Sequence, residues 1–381
     1  MNKVIITQYE GFVFVGLFED GKITDMGLFD PGKEAIGTVY LCDIKDRLPN
    51  IDACFVNYSD GKKGFLKSSE FKNGDRVALQ LKNESVGNKE PIFSDKIELA
   101  SNNLIAKKGK GIIKVSAKLE DKLKQHFIEN LSKPAAENKL DIIVRTSAKD
   151  QPDEVILHEL NELIDTFVDI DFKAETRTVH SILYRPLDEY ISYAIELLKI
   201  GADEVITDIF EIYEFLSDES KAPFGKYDVT VSFYQDGSVP LSLLYKIGYT
   251  VNCALDRKVL LKSGAELVFD KTEAMTVVDL NTAHCLKGRN SEETFLKINI
   301  EAGKELMRQL KLRNISGMVI VDFINMRSKD SYKALMDEIR MRASEDTVKI
   351  DNISFSKLML LEMTRQKKRL PLAELMRCKN G

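Results

Sequence analysis

From Met1 to about Glu98 the apolar positions come in short runs broken by turn dipeptides. Lys3–Thr7, Phe12–Phe18 and Val77–Leu81 are rich in β-formers, and Asp20-Gly21, Pro31-Gly32 and Asp60-Gly61 punctuate the segment. The stretch Ala53–Leu66, centred on Asp60-Gly61-Lys62-Lys63, reads as a hairpin with a basic turn. Short strands at this spacing suit a small barrel.

Further on, lysine becomes abundant between Ser101 and Ser147, and that stretch ends in the apolar strand Ile142–Val144, which runs into Arg145-Thr146. Residues 150–220 turn acidic and largely helical, with Ile191, Ala194, Ile195 and Leu198 at helical spacing. Val229–Phe233 and then a meander return to strands: Val259–Leu261, Leu267–Phe269 and Met275–Asp279. Asn290 with Glu293 three residues on predicts a helix start, followed by Phe295, Ile298, Ala302, Leu306 and Leu310 on one face. Gly317 precedes a short strand, Met318–Val321, that ends at Asp322, and Ser331–Ala343 predicts a helix burying Tyr332, Leu335, Met336 and Ile339.

With 381 residues the chain exceeds a single ordinary core and is expected to form two or three domains. Its 44% hydrophobic and 30% charged residues describe a soluble globular protein. Sixty acids against 55 Lys and Arg leave a net charge of −5, which counts mildly against a nucleic-acid partner until it is taken apart by region. Residues 101–149 hold 11 bases and 5 acids, residues 353–381 hold 7 and 2, and residues 150–220 hold 4 and 19. The acidity therefore sits in one segment and two basic ones remain. Cysteines 42, 54, 253, 285 and 378 are scattered, which predicts reduced thiols and supports neither disulfides nor a zinc cluster. No apolar run is long enough for a signal peptide or a membrane span, so a cytoplasmic protein with no membrane partner is expected.

Two acids terminate apolar strands in the last third, Asp279 and Asp322. A carboxylate at a strand end is held by rigid backbone yet open at the sheet rim, where a hard divalent cation can bind. Asn281 lies on the same face as Asp279 if the strand continues. The three make a plausible Mg²⁺ site, since Mg²⁺ uses few protein ligands and shares the substrate phosphate. His284 and Cys285 have no partner in spacing and read as incidental; His126, His158 and His180 lie in separate segments.

The segments Leu255–Gly264, Thr272–Thr282, Glu292–Thr294, Arg308–Arg313, Val321–Ile324 and Leu360–Gln366 resemble, in order and nearly in spacing, the catalytic region of the ribonuclease E/G family. The resemblance implies an α+β multidomain chain. An RNase H-like subdomain (1–32 and 188–254) would carry an inserted S1-type OB-fold barrel (33–95) and a 5′-sensor region (96–187), followed by a DNase I-like α/β catalytic subdomain (255–381). It implies a Mg²⁺-dependent endoribonuclease acting on single-stranded RNA in bacterial RNA processing or decay. Asp279 and Asp322 would be metal ligands, Asn281 would orient the attacked phosphate, Phe55, Phe65 and Lys89 would contact RNA, and Arg145 with Thr146 would recognise a 5′-monophosphate.

Some positions depart from the family pattern. Ser101 stands where the sensor loop has glycine, Lys349 where an outer arginine is expected, and Asn325 where an acid follows the second metal ligand. Only Cys378 stands near the place of a Cys-Pro-x-Cys zinc link, so zinc is not expected and any homo-oligomer would form by another route. The alternatives are an RNA-binding protein of the same architecture without efficient cleavage and a DNA-directed nuclease. Asp279, Asn281 and Asp322 together favour the enzyme.

Overall fold

In a computed structural model of the chain, the described residues are 2–83, 90–218, 229–282 and 291–380. They divide into two units, Met1–Gly32 with Glu189–Gly381, and Lys33–Asp188.

The first unit opens with three antiparallel strands, Lys3–Tyr9, Phe12–Glu19 and Lys22–Phe29. Both connecting turns, Glu10-Gly11 and Asp20-Gly21, place two consecutive residues at positive φ, the geometry that matches the twist of paired strands. Strand Glu204–Thr207 adds in parallel to Lys3–Tyr9, and Thr230–Phe233 in parallel beyond it, giving a five-stranded mixed sheet. Helix Glu189–Lys199 covers one face, setting Tyr193, Ala194 and Leu197 among Val4, Ile6, Val13 and Val15. Leu241, Ile247, Val251 and Ala254 bury the other face with Ile5, Phe12, Phe14 and Met26. Burial on both faces is why Phe12–Phe18 is an unbroken apolar run.

The same unit contains a six-stranded sheet in the order Lys258–Leu260, Glu266–Lys271, Met275–Asn281, Gly317–Asp322, Leu361–Arg365, Ile350–Phe355. Its central pair, Met275–Asn281 and Gly317–Asp322, is parallel, joined through helix Glu292–Leu312; the other pairs are antiparallel. Helices Glu292–Leu312 and Lys329–Ser344 bury Ile298, Ala302, Leu306, Leu335 and Ile339 with Leu267, Val278, Val319, Val321 and Met363 on one face. The N-cap of the first helix is Ser291, whose hydroxyl accepts from Thr294 N at 3.2 Å, whereas the sequence pattern pointed to Asn290, which lies outside the described residues.

In the second unit, strands Val39–Leu48, Ala53–Ser59, Lys62–Leu66, Ile92–Ser94 and Arg76–Asn83 close into a five-stranded barrel through pairing of the first with the last, consistent with an OB-fold. Ile182–Tyr184 attaches outside the closed circuit. A Cβ on Gly64 would lie 2.5 Å from the Phe93 ring, so only glycine permits that contact in the barrel wall. A four-stranded sheet, Ile113–Val115, Leu140–Val144, Leu104–Lys108, Glu98–Ala100, packs with helices Asp121–Glu137 and Asp153–Thr176. Among the described residues, no helix is long and apolar enough to cross a membrane.

Candidate active site and nucleic-acid interface

Strand alternation decides where the acids go. In Met275–Asn281 the residues Thr276, Val278 and Leu280 are buried and face the helices, which turns Asp279 and Asn281 to the opposite, open face. In Gly317–Asp322 the buried Val319 and Val321 do the same for Asp322. Because the two strands are parallel with Asp279 paired to Asp322, the carboxylates rise side by side from one face, their backbones about 4.8 Å apart. Both are exposed, and neither forms an ion pair among the described residues. Asn281 continues the row, across from Glu266 of the neighbouring strand. On the other side Val268 separates Asp279 from Lys258, whose ammonium lies 3.1 Å from Glu266.

Among the described residues no group of three or more His, Cys, Asp or Glu side chains converges on a metal position. The donor set at Asp279, Asp322 and Asn281 is all oxygen and small, which suits a hard ion that keeps most of its waters, and it offers no thiolate or imidazole for a softer one. His284 and Cys285 lie outside the described residues.

The loop that follows Asp322 is held by residues the sequence pattern did not single out. Asn299, fully buried in helix Glu292–Leu312, donates to Ile324 O at 2.8 Å and accepts from Ile324 N at 3.0 Å. Tyr332 Oη accepts from Met326 N at 3.1 Å, and the Glu292 carboxylate accepts from Arg327 N and Ser328 N, each at 3.0 Å. These backbone donors, Arg327 first and then Ser328, hold the Glu292 carboxyl below its ordinary value. Asn325 sits exposed in this clamped loop. The signal for Asn299 was a polar residue next to Ile298 on the apolar stripe of a helix, where burial demands a partner. Two basic residues in the conspicuous motifs turn inward instead. Arg365 and Asp346 form an ion pair with side chains 2% and 1% exposed, and Arg313 stacks on Phe269 with its guanidinium carbon 4.3 Å from the ring centre.

In the barrel, Phe55 and Phe65 are register partners with ring centres 6.0 Å apart. The interior is filled by Tyr40, Ile44, Val56, Tyr58, Leu66 and Phe93, leaving both rings half-exposed outside it. Exposed Ile92 is the register neighbour of Phe65 and widens this surface. His180 bridges Asp43 at 2.7 Å and Asp60, in the hairpin turn, at 3.3 Å. Lys89 lies outside the described residues.

Arg145 and Thr146 follow the strand Leu140–Val144 and are both exposed. The segment 145–147 grips three successive carbonyl oxygens of the turn before Leu104: Arg145 Nη1 donates to Ser101 O at 3.3 Å, Ser147 Oγ to Asn102 O at 2.9 Å, and Arg145 N to Asn103 O at 2.8 Å. Thr146 Oγ1 lies 2.9 Å from Ser116 Oγ. The Ser101 hydroxyl is drawn to Glu159 at 2.6 Å. In the first unit, Lys349 pairs with Asp351.

A family model described as Ribonuclease E/G family matches residues 98–368. Ribonuclease E of Haemophilus influenzae is 28% identical over 379 residues, covering 93% of this chain and 40% of that protein. Ribonuclease E of Escherichia coli is 27% identical over 397 residues, covering 96% and 37%, and ribonuclease G of Salmonella typhimurium 26% over 358 residues, covering 88% and 73%. The chain thus spans well under half the length of these two ribonucleases E and about three quarters of that ribonuclease G. The matched region includes both acid-bearing strands of the six-stranded sheet and the Arg145 corner, and the chain belongs to the ribonuclease E/G family.

Proposed function

We propose that this chain cleaves single-stranded RNA at a Mg²⁺ site held by Asp279 and Asp322, with Asn281 orienting the attacked phosphate. Family membership makes it an endoribonuclease, a hydrolase of RNA phosphodiester bonds. The observation that carries the site is the register pairing of the two carboxylates on one open sheet face. Mg²⁺ bound there would lower the pKa of a water and offset charge on the phosphoryl oxygens. The two strands fix the carboxylate positions, and the Asn281 amide reaches the same face to donate to a phosphate oxygen. Attack by water breaks the bond from phosphorus to the 3′ oxygen, leaving a 5′-phosphate and a 3′-hydroxyl.

The half-exposed Phe55 and Phe65 supply a stacking surface for unpaired bases. Arg145 and Thr146 would take a 5′-monophosphate: the Ser101 side chain is committed to Glu159, and the exposed guanidinium has one hydrogen bond among the described residues. In domain terms, we read 33–95 as the S1-type barrel, 96–187 as the sensor region, 1–32 with 188–254 as RNase H-like, and 255–381 as DNase I-like. The five-stranded sheet with its parallel added strands supports the third assignment, and the helix-backed six-stranded sheet the fourth.

The test is cleavage of a 5′-monophosphorylated single-stranded RNA in Mg²⁺ by the parent, Asp279→Asn and Asp322→Asn proteins. Each substitution is expected to lower the rate by about a thousandfold or more, the scale of a removed charge-stabilising group. Parent-like rates in either variant refute the site. Binding without cleavage in the parent, insensitive to EDTA, favours a non-catalytic RNA-binding protein.

A further inference from the structure

The structure assigns Glu159 as the positioning residue of the Arg145 corner, acting through the Ser101–Leu104 turn; this rests on the 5′-monophosphate reading of that corner. Glu159 belongs to helix Asp153–Thr176, is 9% exposed, and has no cation beside it among the described residues. A buried carboxylate without a counter-ion has lost its water shell and needs hydrogen bonds in its place. It receives three, all from one turn. Ser101 Oγ donates to Oε2 at 2.6 Å, Asn103 N to the same oxygen at 3.0 Å, and Asn103 Nδ2 to Oε1 at 2.8 Å. Ser101 Oγ in turn accepts from Leu104 N at 3.1 Å.

The turn is therefore fastened on both sides. The Asn103 N–H and the Ser101 and Asn103 side-chain donors point to Glu159, while the carbonyls at 101, 102 and 103 point to the segment 145–147. A peptide plane carries the C=O of one residue and the N–H of the next on opposite edges, so Asn103 N on Glu159 turns Asn102 O toward Ser147, and Leu104 N on Ser101 Oγ turns Asn103 O toward Arg145 N. Those two acceptors hold the backbone from which Thr146 projects, and the Arg145 guanidinium meets the carbonyl of Ser101, the residue whose hydroxyl Glu159 anchors. Ser101, standing where the family pattern has glycine, is part of this clamp, because its hydroxyl is one of the three donors.

Glu159→Gln keeps the shape but replaces one acceptor oxygen by an NH₂ group, so at least one of the three donors meets a donor. Ser101→Ala removes one of the three donors, together with the acceptor of Leu104 N, but leaves the carboxylate and both Asn103 contacts in place, and serves as the milder variant. The readout is the ratio of initial cleavage rates on one RNA sequence carrying either a 5′-monophosphate or a 5′-hydroxyl, because loss of folded protein lowers both rates alike. The parent is expected to prefer the monophosphate, Glu159→Gln to reduce that ratio about fivefold or more, and Ser101→Ala to reduce it by a smaller factor. A parent ratio of one removes the 5′-monophosphate reading and this assignment with it. A parent ratio above one that both variants retain overturns the role of Glu159 alone. If Glu159→Gln does not fold, Ser101→Ala decides: a lowered ratio supports the assignment and a parental one overturns it.

Discussion

Asp279 and Asp322 are register partners on adjacent parallel strands, two like charges held side by side on the open face of a sheet. Without a cation this arrangement opposes folding, since like charges directly across a ladder repel. In EDTA, Asp322→Asn is expected to raise the melting temperature by about 1–3 °C. Added Mg²⁺ should stabilise the parent and leave the variant unmoved. Calorimetric scans with and without Mg²⁺ check both statements, and equal responses of the two proteins count against a shared metal.

Phe55→Ala and Phe65→Ala should each weaken binding of an unstructured RNA by about 1–3 kcal/mol, with little change in stability. Phe93→Ala provides the contrast. Its ring is 3% exposed inside the barrel, and its loss should cost about 3–5 kcal/mol of stability. Fluorescence anisotropy and denaturant titration of the three variants separate the roles.

Asp346→Asn leaves the Arg365 guanidinium buried opposite a neutral partner. A cost of about 3–5 kcal/mol is expected, read by urea denaturation, because breaking one side of a buried pair strands the other charge. The arginine of the Leu361–Arg365 strand thus serves the core rather than the substrate.

Glu292 titrates below its ordinary value because it accepts from Arg327 N and Ser328 N. A depressed carboxyl contributes stability that is present above its unfolded-state value, about 4.3, and is lost as pH falls through the lower folded-state value. Glu292→Gln should therefore show a shallower loss of stability below about pH 4 than the parent, measured by urea midpoints across that range. Identical pH profiles would remove the clamp.

RNA affinity should fall as salt rises despite the net charge of −5, because residues 101–149 and 353–381 carry +6 and +5 while 150–220 carry −15. A plot of log affinity against log salt with no slope refutes this segregation argument.

Much of the fold was legible where periodicity is strong. The runs Met275–Asp279 and Met318–Val321 were recognisable strands, and the period of two already placed Asn281 on the face of Asp279. Their adjacency was not legible, because a parallel pair is joined only through the long helix Glu292–Leu312 and no local signal gives its register. Strands of three or four residues such as Ile182–Tyr184 and Glu204–Thr207 were hidden in a segment that read as helical. Glu159 and Asn299 were missed for a common reason. Each is a polar residue on the inward face of a helix, and its partners lie 56 and 25 positions away at Asn103 and Ile324.

The first sheet has a consequence for how the protein is made. Lys3 pairs with Glu204, so the opening hairpin leaves the ribosome with its edge strand bare and waits for the rest of the chain. At about 5–20 residues per second, synthesis of the intervening stretch takes on the order of 10–40 seconds. Throughout that interval Val4, Ile5 and Ile6, all fully buried in the finished protein, lack the strand and helices that cover them. Nascent chains halted before residue 204 should therefore be clients of ribosome-associated chaperones, and chains extended past the covering segment 241–254 should be released from them.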